Sequence, residues 1–413
     1  MDAPAHAPFR PSLVSWNLTK RCNLRCPHCY LEAGKAAGDE LTTAECLGLL
    51  GEMRALGTEM VILTGGEPLL RRDIYDIASA AAASGMWAVM GTNGVLVTDA
   101  VAARMVECGV RGVAISIDSI DASRHDGFRG GRGAFAASLR ALEACRAQGL
   151  EVLVQTTVME ENYEEVPALL DLAQRLGAWS FNLYFLVKTG RGETMHELSP
   201  QRTEAMLRQL VGLQERYRPM LVRAKCAPHF KRIAYEEGEA GLESGGCMAG
   251  TEYCRITPEG DVTPCPYMTA VAGNVRDAGG FTAVWRDAPL LRDLRDPHRL
   301  GGRCGACEYA ELCGGCRCRA YAATGDPLAE DPACTYLPTG VPLAAQPLVW
   351  SPQARARLDR IPIAFIRGKV ERGIESFARR RGARLISAAL MEEGMQGSGR
   401  APAFLAGASH PAS

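Results

Sequence analysis

The chain has 413 residues, with 46 Lys and Arg against 47 Asp and Glu, a net charge of −1, and 47% hydrophobic residues. So even a balance gives no reason to expect nucleic acid or an anionic membrane surface as a partner, and no apolar run is long enough to span a bilayer. The opening MDAPAHAPFRPS has no signal-peptide apolar core, so a cytoplasmic location is expected; in a reducing compartment, 16 cysteines point to metal ligation rather than disulfides.

From residue 13 the chain alternates short apolar runs with amphipathic stretches. The runs are LVSWNLT from 13, EMVILTGG from 59, WAVMGTNG from 87, VRGVAISIDS from 110, EVLVQTTV from 151 and WSFNLYFLV from 179. Segments near 43–56, 72–84, 99–108, 134–148 and 163–176 predict helices, the first opened by a capping box of Thr42 and Glu45. Each is followed by a glycine (Gly57, Gly85, Gly109, Gly149, Gly177) that can take the left-handed conformation closing a helix. Six βα units of this kind predict a parallel sheet with right-handed crossovers, either open and doubly wound or part of a barrel. In both cases ligands gather at the carboxyl ends of the strands.

The chemistry-bearing motifs fall at those ends. The loop RCNLRCPHCY after the first strand holds Cys22, Cys26 and Cys29. A structural zinc or an ordinary iron–sulfur cluster takes four protein ligands, so three close thiols with no local fourth predict a centre with one open position. TGGEP closes strand two with Gly65, Gly66 and the carboxylate of Glu67; GTNG closes strand three with Asn93; SIDS closes strand four with Ser116. A zinc knuckle with a distant fourth ligand is the alternative.

The C-x3-C-x2-C loop followed by GGEP resembles the radical S-adenosylmethionine (SAM) superfamily. The resemblance implies an α/β fold, a partial (β/α)6 barrel, with Cys22, Cys26 and Cys29 on a [4Fe–4S] cluster whose fourth iron is chelated by SAM. It further implies that cluster and SAM generate a 5′-deoxyadenosyl radical, that Gly65, Gly66 and Glu67 receive the SAM amino group, that Asn93 and Ser116 meet ribose or carboxylate, and that Tyr30 lies near the adenine. Arg191 and Lys188, beyond strand six, are candidates for holding SAM or a substrate carboxylate. Tyr184, with Val158, Met159, Phe185 and Leu186, is expected to line the substrate pocket. A flavodoxin- or ferredoxin-type electron donor is implied.

After a stretch at 187–246 with a helix near 200–217, cysteines crowd again: Cys247, Cys254, Cys265, Cys304, Cys307, Cys313, Cys316, Cys318 and Cys334. Read from spacing alone, C-x2-C-x5-C-x2-C at 304–316 could be a zinc ribbon. The arrangement resembles the SPASM domain, which implies two auxiliary [4Fe–4S] clusters. By order, Cys247, Cys254, Cys265 and Cys316 would hold one, and Cys304, Cys307, Cys313 and Cys334 the other. The final spacing departs from that family's pattern and leaves Cys316 and Cys318 both open, while Cys226 is read as structural. The wording of EYCRITPEGDVTPCPYM and of residues 304–334 resembles radical SAM enzymes of haem synthesis, which include iron-coproporphyrin decarboxylases and enzymes on the way to haem d1.

Beyond a proline-rich linker, Ser351-Pro352 opens a helix and a basic amphipathic helix follows near 363–381. Trp350, Pro362, Arg367, Glu371, Glu375 and Ala378 resemble the small domain of a light-independent protochlorophyllide reductase subunit. The expected divisions are 13–190 radical SAM core, 191–246 connecting helices, 247–337 SPASM domain, 338–349 linker, 350–394 helical module and 395–413 disordered tail. The resemblances imply a tetrapyrrole substrate altered at a propionate side chain. The rivals are a maturase of a ribosomal peptide, for which about a dozen residues before the first strand leave no recognition domain, a tungsten-cofactor-associated maturase, and a non-catalytic iron–sulfur carrier, which has no use for a SAM pocket.

Overall fold

The computed structural model describes residues 9–237, 246–340 and 348–396, apart from 382 and 384. Most of the expected linker (341–347) and the expected disordered tail from 397 onward lie outside the described residues.

The expected strands all form: β1 (Leu13–Asn17), β2 (Met60–Thr64), β3 (Trp87–Thr92), β4 (Val110–Ser116), β5 (Glu151–Val158) and β6 (Ser180–Phe185). They pair in parallel and in sequence order. The expected crossover helices are Thr43–Ala55, Ile74–Ala83, Asp99–Glu107, Ala134–Ala147 and Val166–Arg175. The Thr42–Glu45 capping box is in place, and the five closing glycines all have positive φ, between 72° and 84°. A helix at Ala122–Arg129 was not expected from the sequence.

The partial barrel extends past six units. A seventh parallel strand, β7 (Leu221–Lys225), joins β6 after the helices Pro200–Gly212 and Gln214–Tyr217. On the other edge β8 (Tyr253–Ile256) runs parallel to β1 and turns back through β9 (Asp261–Thr263) and β10 (Gly273–Asn274). The final order is β10-β9-β8-β1-β2-β3-β4-β5-β6-β7, an open partial barrel.

Strand alternation divides the two faces. Val14, Trp16, Val61, Leu63, Phe181 and Leu183 are fully buried in the core beneath the helices, where removing apolar surface from water stabilises the layer packing. Asn17, Gln155, Tyr184 and Lys225 fall on the other face, inside the barrel.

The C-terminal module has its own small core of Ala354, Leu358, Ile374, Ala378 and Ile386, built on helices Pro352–Asp359, Ala364–Arg380 and Ala388–Gln396 with a two-stranded sheet. It docks on the barrel where the Phe365 amide donates to Glu59 Oε2 (2.8 Å) and Arg372 meets Glu252 (3.5 Å).

Candidate active site

At the carboxyl ends of the strands, the chain leaving β1 lies directly against the GGE turn. Leu18 N donates to Thr64 O (2.8 Å), Gly66 N to Thr19 O (2.7 Å) and Glu67 N to Arg21 O (2.7 Å). This approach needs glycines. A Cβ on Gly65, whose φ is 149°, would stand 2.6 Å from Thr19 O, and one on Gly66 would stand 2.2 Å from Arg21 O. The cysteine loop and the glycine turn are therefore one assembled unit.

Cys22, Cys26 and Cys29 are all half-buried in that loop. Leu24 N points at Cys22 Sγ (3.4 Å) and Ala33 N at Cys29 Sγ (3.5 Å), while the Arg129 guanidinium lies 3.9 Å from Cys26 Sγ. Donors converging on sulfur suit thiolates carrying metal. Burial pushes the Cys22 thiol up to about 11 and also raises Cys26, so the charged form needs a cation beside it. The three sulfurs with their N–H donors fit an iron–sulfur cluster with one corner left to a ligand.

The groups around the loop have distinct tasks. Glu67 is fully buried, and its carboxylate accepts from the Thr92 hydroxyl (2.9 Å), Asn93 N (2.9 Å) and Leu69 N (3.2 Å). Its side chain thus ties the GGEP turn to the GTNG turn, and burial pushes its pKa up to about 7. Asn93 Nδ2 donates to Asn23 (2.8 Å) and lies 3.9 Å from Cys22 Sγ. Ser116 stands half-buried at the end of β4. The Tyr30 hydroxyl accepts from Asn17 (3.0 Å), and its ring packs against Tyr267 at 5.1 Å.

Arg191 is placed differently from the sequence expectation. Its guanidinium donates to Cys26 O (2.9 Å) and Ala33 O (2.8 Å), and its amide to Cys29 O (3.1 Å). It braces the cysteine loop through main-chain carbonyls. Lys188 is exposed, just beyond the end of β6. Tyr184 faces inward beside Tyr267 at 6.3 Å, whereas Val158 and Phe185 point into the helix-covered core, a correction that follows from strand alternation.

Arg129 was missed in the sequence. It closes the unexpected helix Ala122–Arg129, pairs with buried Asp118 at 2.5 Å, and its carbonyl receives the Cys26 thiol at 3.5 Å. Nothing in the polar string ASRHDGFR signals that role.

The second cysteine field forms two groups. Cys226, Cys247, Cys265, Cys316 and Cys318 meet beside Val187 and Met268. Cys316 and Cys318 sulfurs lie 3.2 Å apart, and hydrogen bonding with Cys226 and Cys318 holds the Cys316 thiol well below its usual range. Cys254 is not among them. Tyr253 and Arg255 face the interior, so Cys254, between them, points outward into the core, where burial raises it. Cys226, expected to be structural, takes a place in the group; it ends β7 with a left-handed backbone, φ 59°. Cys304, Cys307, Cys313 and Cys334 influence one another electrostatically in the other group, where burial raises Cys307, Cys313 and, to about 11, Cys334.

One buried residue joins the two groups. Asp331 accepts from Cys316 N (2.6 Å) and from His229 (2.8 Å), while its own amide points at Cys304 Sγ (3.4 Å). Burial opposes its charge, but His229 and Arg319 hold the carboxyl below its usual range. Arg319 in turn donates to Cys226 O (2.7 Å) and Leu186 O (3.1 Å), fastening the auxiliary region to the ends of β6 and β7.

Comparison with known proteins agrees with this geometry. Residues 16–173 match the Radical SAM superfamily, 247–317 an iron–sulfur cluster-binding domain (SPASM), and 350–393 the proto-chlorophyllide reductase 57 kD subunit. The chain belongs to the radical SAM superfamily and carries a SPASM domain, so SAM and [4Fe–4S] clusters are its cofactors. It is 39% identical to an AdoMet-dependent heme synthase of Methanosarcina barkeri, over 79% of this chain and 97% of that protein. It is 34% identical to mycofactocin maturase MftC of Mycobacterium ulcerans, over 83% and 92% respectively. SuiB of Streptococcus suis, solved with its precursor peptide SuiA, shares the fold with a TM-score of 0.65 at 18% identity, over 79% of this chain and 76% of SuiB. No helix among the described residues is long and apolar enough to cross a membrane.

Proposed function

We propose that the protein is a SAM-dependent enzyme of haem-type biosynthesis that converts propionate side chains of an iron porphyrin or related tetrapyrrole, by loss of carbon dioxide. The 39% identity to an AdoMet-dependent heme synthase along nearly that protein's whole length carries this reading. The net change on each side chain is loss of a β-hydrogen, carbon dioxide and one electron, which leaves a vinyl group.

Cys22, Cys26 and Cys29 would hold the cluster that binds SAM. When bound, cluster and SAM supply a low-potential electron and a 5′-deoxyadenosyl radical. The turn at Gly65, Gly66 and Glu67 would receive the SAM amino group through its backbone, since the Glu67 carboxylate is occupied with Thr92 and Asn93. Asn93, Ser116 and Tyr30 line the remaining edge. We reassign Arg191 from SAM contact to a brace of the cysteine loop, because its Nε and Nη1 hold loop carbonyls.

Two auxiliary [4Fe–4S] clusters remain our reading. One would take Cys226, Cys247, Cys265 and either Cys316 or Cys318, whose contacting sulfurs cannot serve separate corners. The other would take Cys304, Cys307, Cys313 and Cys334. An auxiliary cluster would accept the released electron, and a flavodoxin- or ferredoxin-type protein would reduce the first. The divisions at 190, 247, 337 and 350 are kept as proposed domain borders.

The test is anaerobic turnover with iron-coproporphyrin III deuterated at the propionate β-carbon. Deuterium is expected in 5′-deoxyadenosine, with matching carbon dioxide release. The similarity to MftC favours a maturase as the second reading; turnover of a peptide, with no iron porphyrin accelerating deoxyadenosine formation, would establish it instead.

A further inference from the structure

Among the described residues, the interior side of β7 and the docked C-terminal helix bring several cations together with few carboxylates beside them. Arg223 and Lys225 occupy inward positions of β7, in register with Asn182 and Tyr184 of β6. The C-terminal helix Ala364–Arg380 contributes Lys369, whose Nζ lies 2.9 Å from Met248 Sδ and 4.6 Å from the centre of the Phe365 ring. Neither contact is an anion. The charged groups acting on Lys369 are Lys225, Lys231, Arg223 and a single carboxylate, Glu252, which also meets Arg372 at 3.5 Å. Among the described residues Lys369 forms no ion pair, and burial, followed by the neighbouring cations, pushes it well below its usual range.

Gathering like charges around a partly desolvated ammonium is costly unless an anion completes the site. The interior beside them is aromatic, with Tyr184 in register with Lys225, Tyr253 and Tyr184 acting on each other, and Tyr267 beside Tyr184. Flat rings beside a group of cations suit a planar apolar body with carboxylates at its edge.

We infer that Arg223, Lys225 and Lys369 form a carboxylate-binding floor that anchors propionates of the substrate other than the one reacting, the C-terminal module supplying one of the three cations. This rests on the tetrapyrrole reading. It gives the docked module a direct part in substrate binding: its helix completes a site the barrel leaves open on one side. Arginine offers a bidentate grip on carboxylate and lysine a point charge, so the three cations can hold more than one propionate.

The test is Soret titration of the reconstituted full-length protein with iron-coproporphyrin III and with its tetramethyl ester, which keeps the macrocycle and removes the charges. Lys369→Met is expected to weaken binding of the free acid about tenfold, roughly the loss of one charge-assisted pair, and to leave ester binding unchanged. Lys369→Arg should restore the free acid. Arg223→Gln, inside the barrel, should repeat the selective loss without depending on how the C-terminal module folds. If wild type binds the free acid and both neutral variants bind it equally well, or if ester and acid weaken together, the floor is overturned while the tetrapyrrole reading stands. If wild type binds neither porphyrin, the tetrapyrrole reading falls and takes the floor with it.

Discussion

The loop at Cys22–Cys29 and the cysteines spread from 226 to 334 both gather thiols, but over very different lengths of chain. The first set lies within eight residues, held by the amides of Gly66 and Glu67 and by braces from Arg129 and Arg191. The second draws on β7, the segment before β8, the loop after β9 and the helix Arg317–Thr324, and only tertiary packing brings them together. A local site is written in spacing. A distributed one is written in strand faces and in buried hubs such as Asp331 and Arg319.

The largest effect should separate the two regions outright. Replacing Cys22, Cys26 and Cys29 together by Ala is expected to abolish SAM cleavage and to lower bound iron from about twelve to about eight per chain, from three four-iron clusters to two. Iron analysis and chromatography of 5′-deoxyadenosine check this; persistent cleavage would place the chemistry in the second field.

Next comes a pair of variants that sharpens the distributed side. Cys226→Ala should lose about four irons, whereas Cys254→Ala should keep full iron and lose only core packing, about 1–2 kcal/mol. Iron loss in Cys254→Ala alone would return that residue to the ligand set.

Within the local side, Arg129→Leu strands the buried Asp118 carboxylate, a loss expected at about 3–5 kcal/mol and read as a lowered unfolding midpoint. Arg191→Gln removes only hydrogen bonds to carbonyls, so its effect should be smaller.

A smaller effect concerns pH. Glu67 holds its proton to about 7 in the fold against an ordinary 4.5, so the native state binds a proton that the unfolded chain releases. Its contribution is complete below pH 4.5 and is lost as pH rises through about 7, a change on the order of 3 kcal/mol. Glu67→Gln should flatten that segment of the stability–pH curve; an unchanged slope would show that Glu67 stays ionised.

The six strands and five helices of the barrel were legible because each carries enough apolar residues to show its period. β7 was not: in LVRAK the inward positions hold Arg223 and Lys225, and only Val222 is fully buried in the core. The helix Ala122–Arg129 escaped for a similar reason, since its residues are mostly polar. Counting cysteines in order puts Cys254 among the ligands, whereas the alternation Tyr253, Cys254, Arg255, Ile256 sets it beside Val14 on the core face. Arg191 was seen as a cation, but its partners are main-chain carbonyls, which no side-chain pattern reveals.

The left-handed backbone at Cys226 bears on how the molecule comes together. A residue with a Cβ pays about 1–2 kcal/mol to sit there, a cost that glycine would avoid. A thiolate bond to iron would offset that cost, and hydrogen bonding of the thiol with Cys316 and Cys318 offsets part of it without metal. Strand β7 is paired with β6 as far as Lys225, so the strain falls on the one peptide that carries Cys226 toward the other thiols. Under the proposed ligand set, the strain at Cys226 would be relieved by metal rather than by the choice of residue: the position is filled for its sulfur, not for the backbone it must adopt.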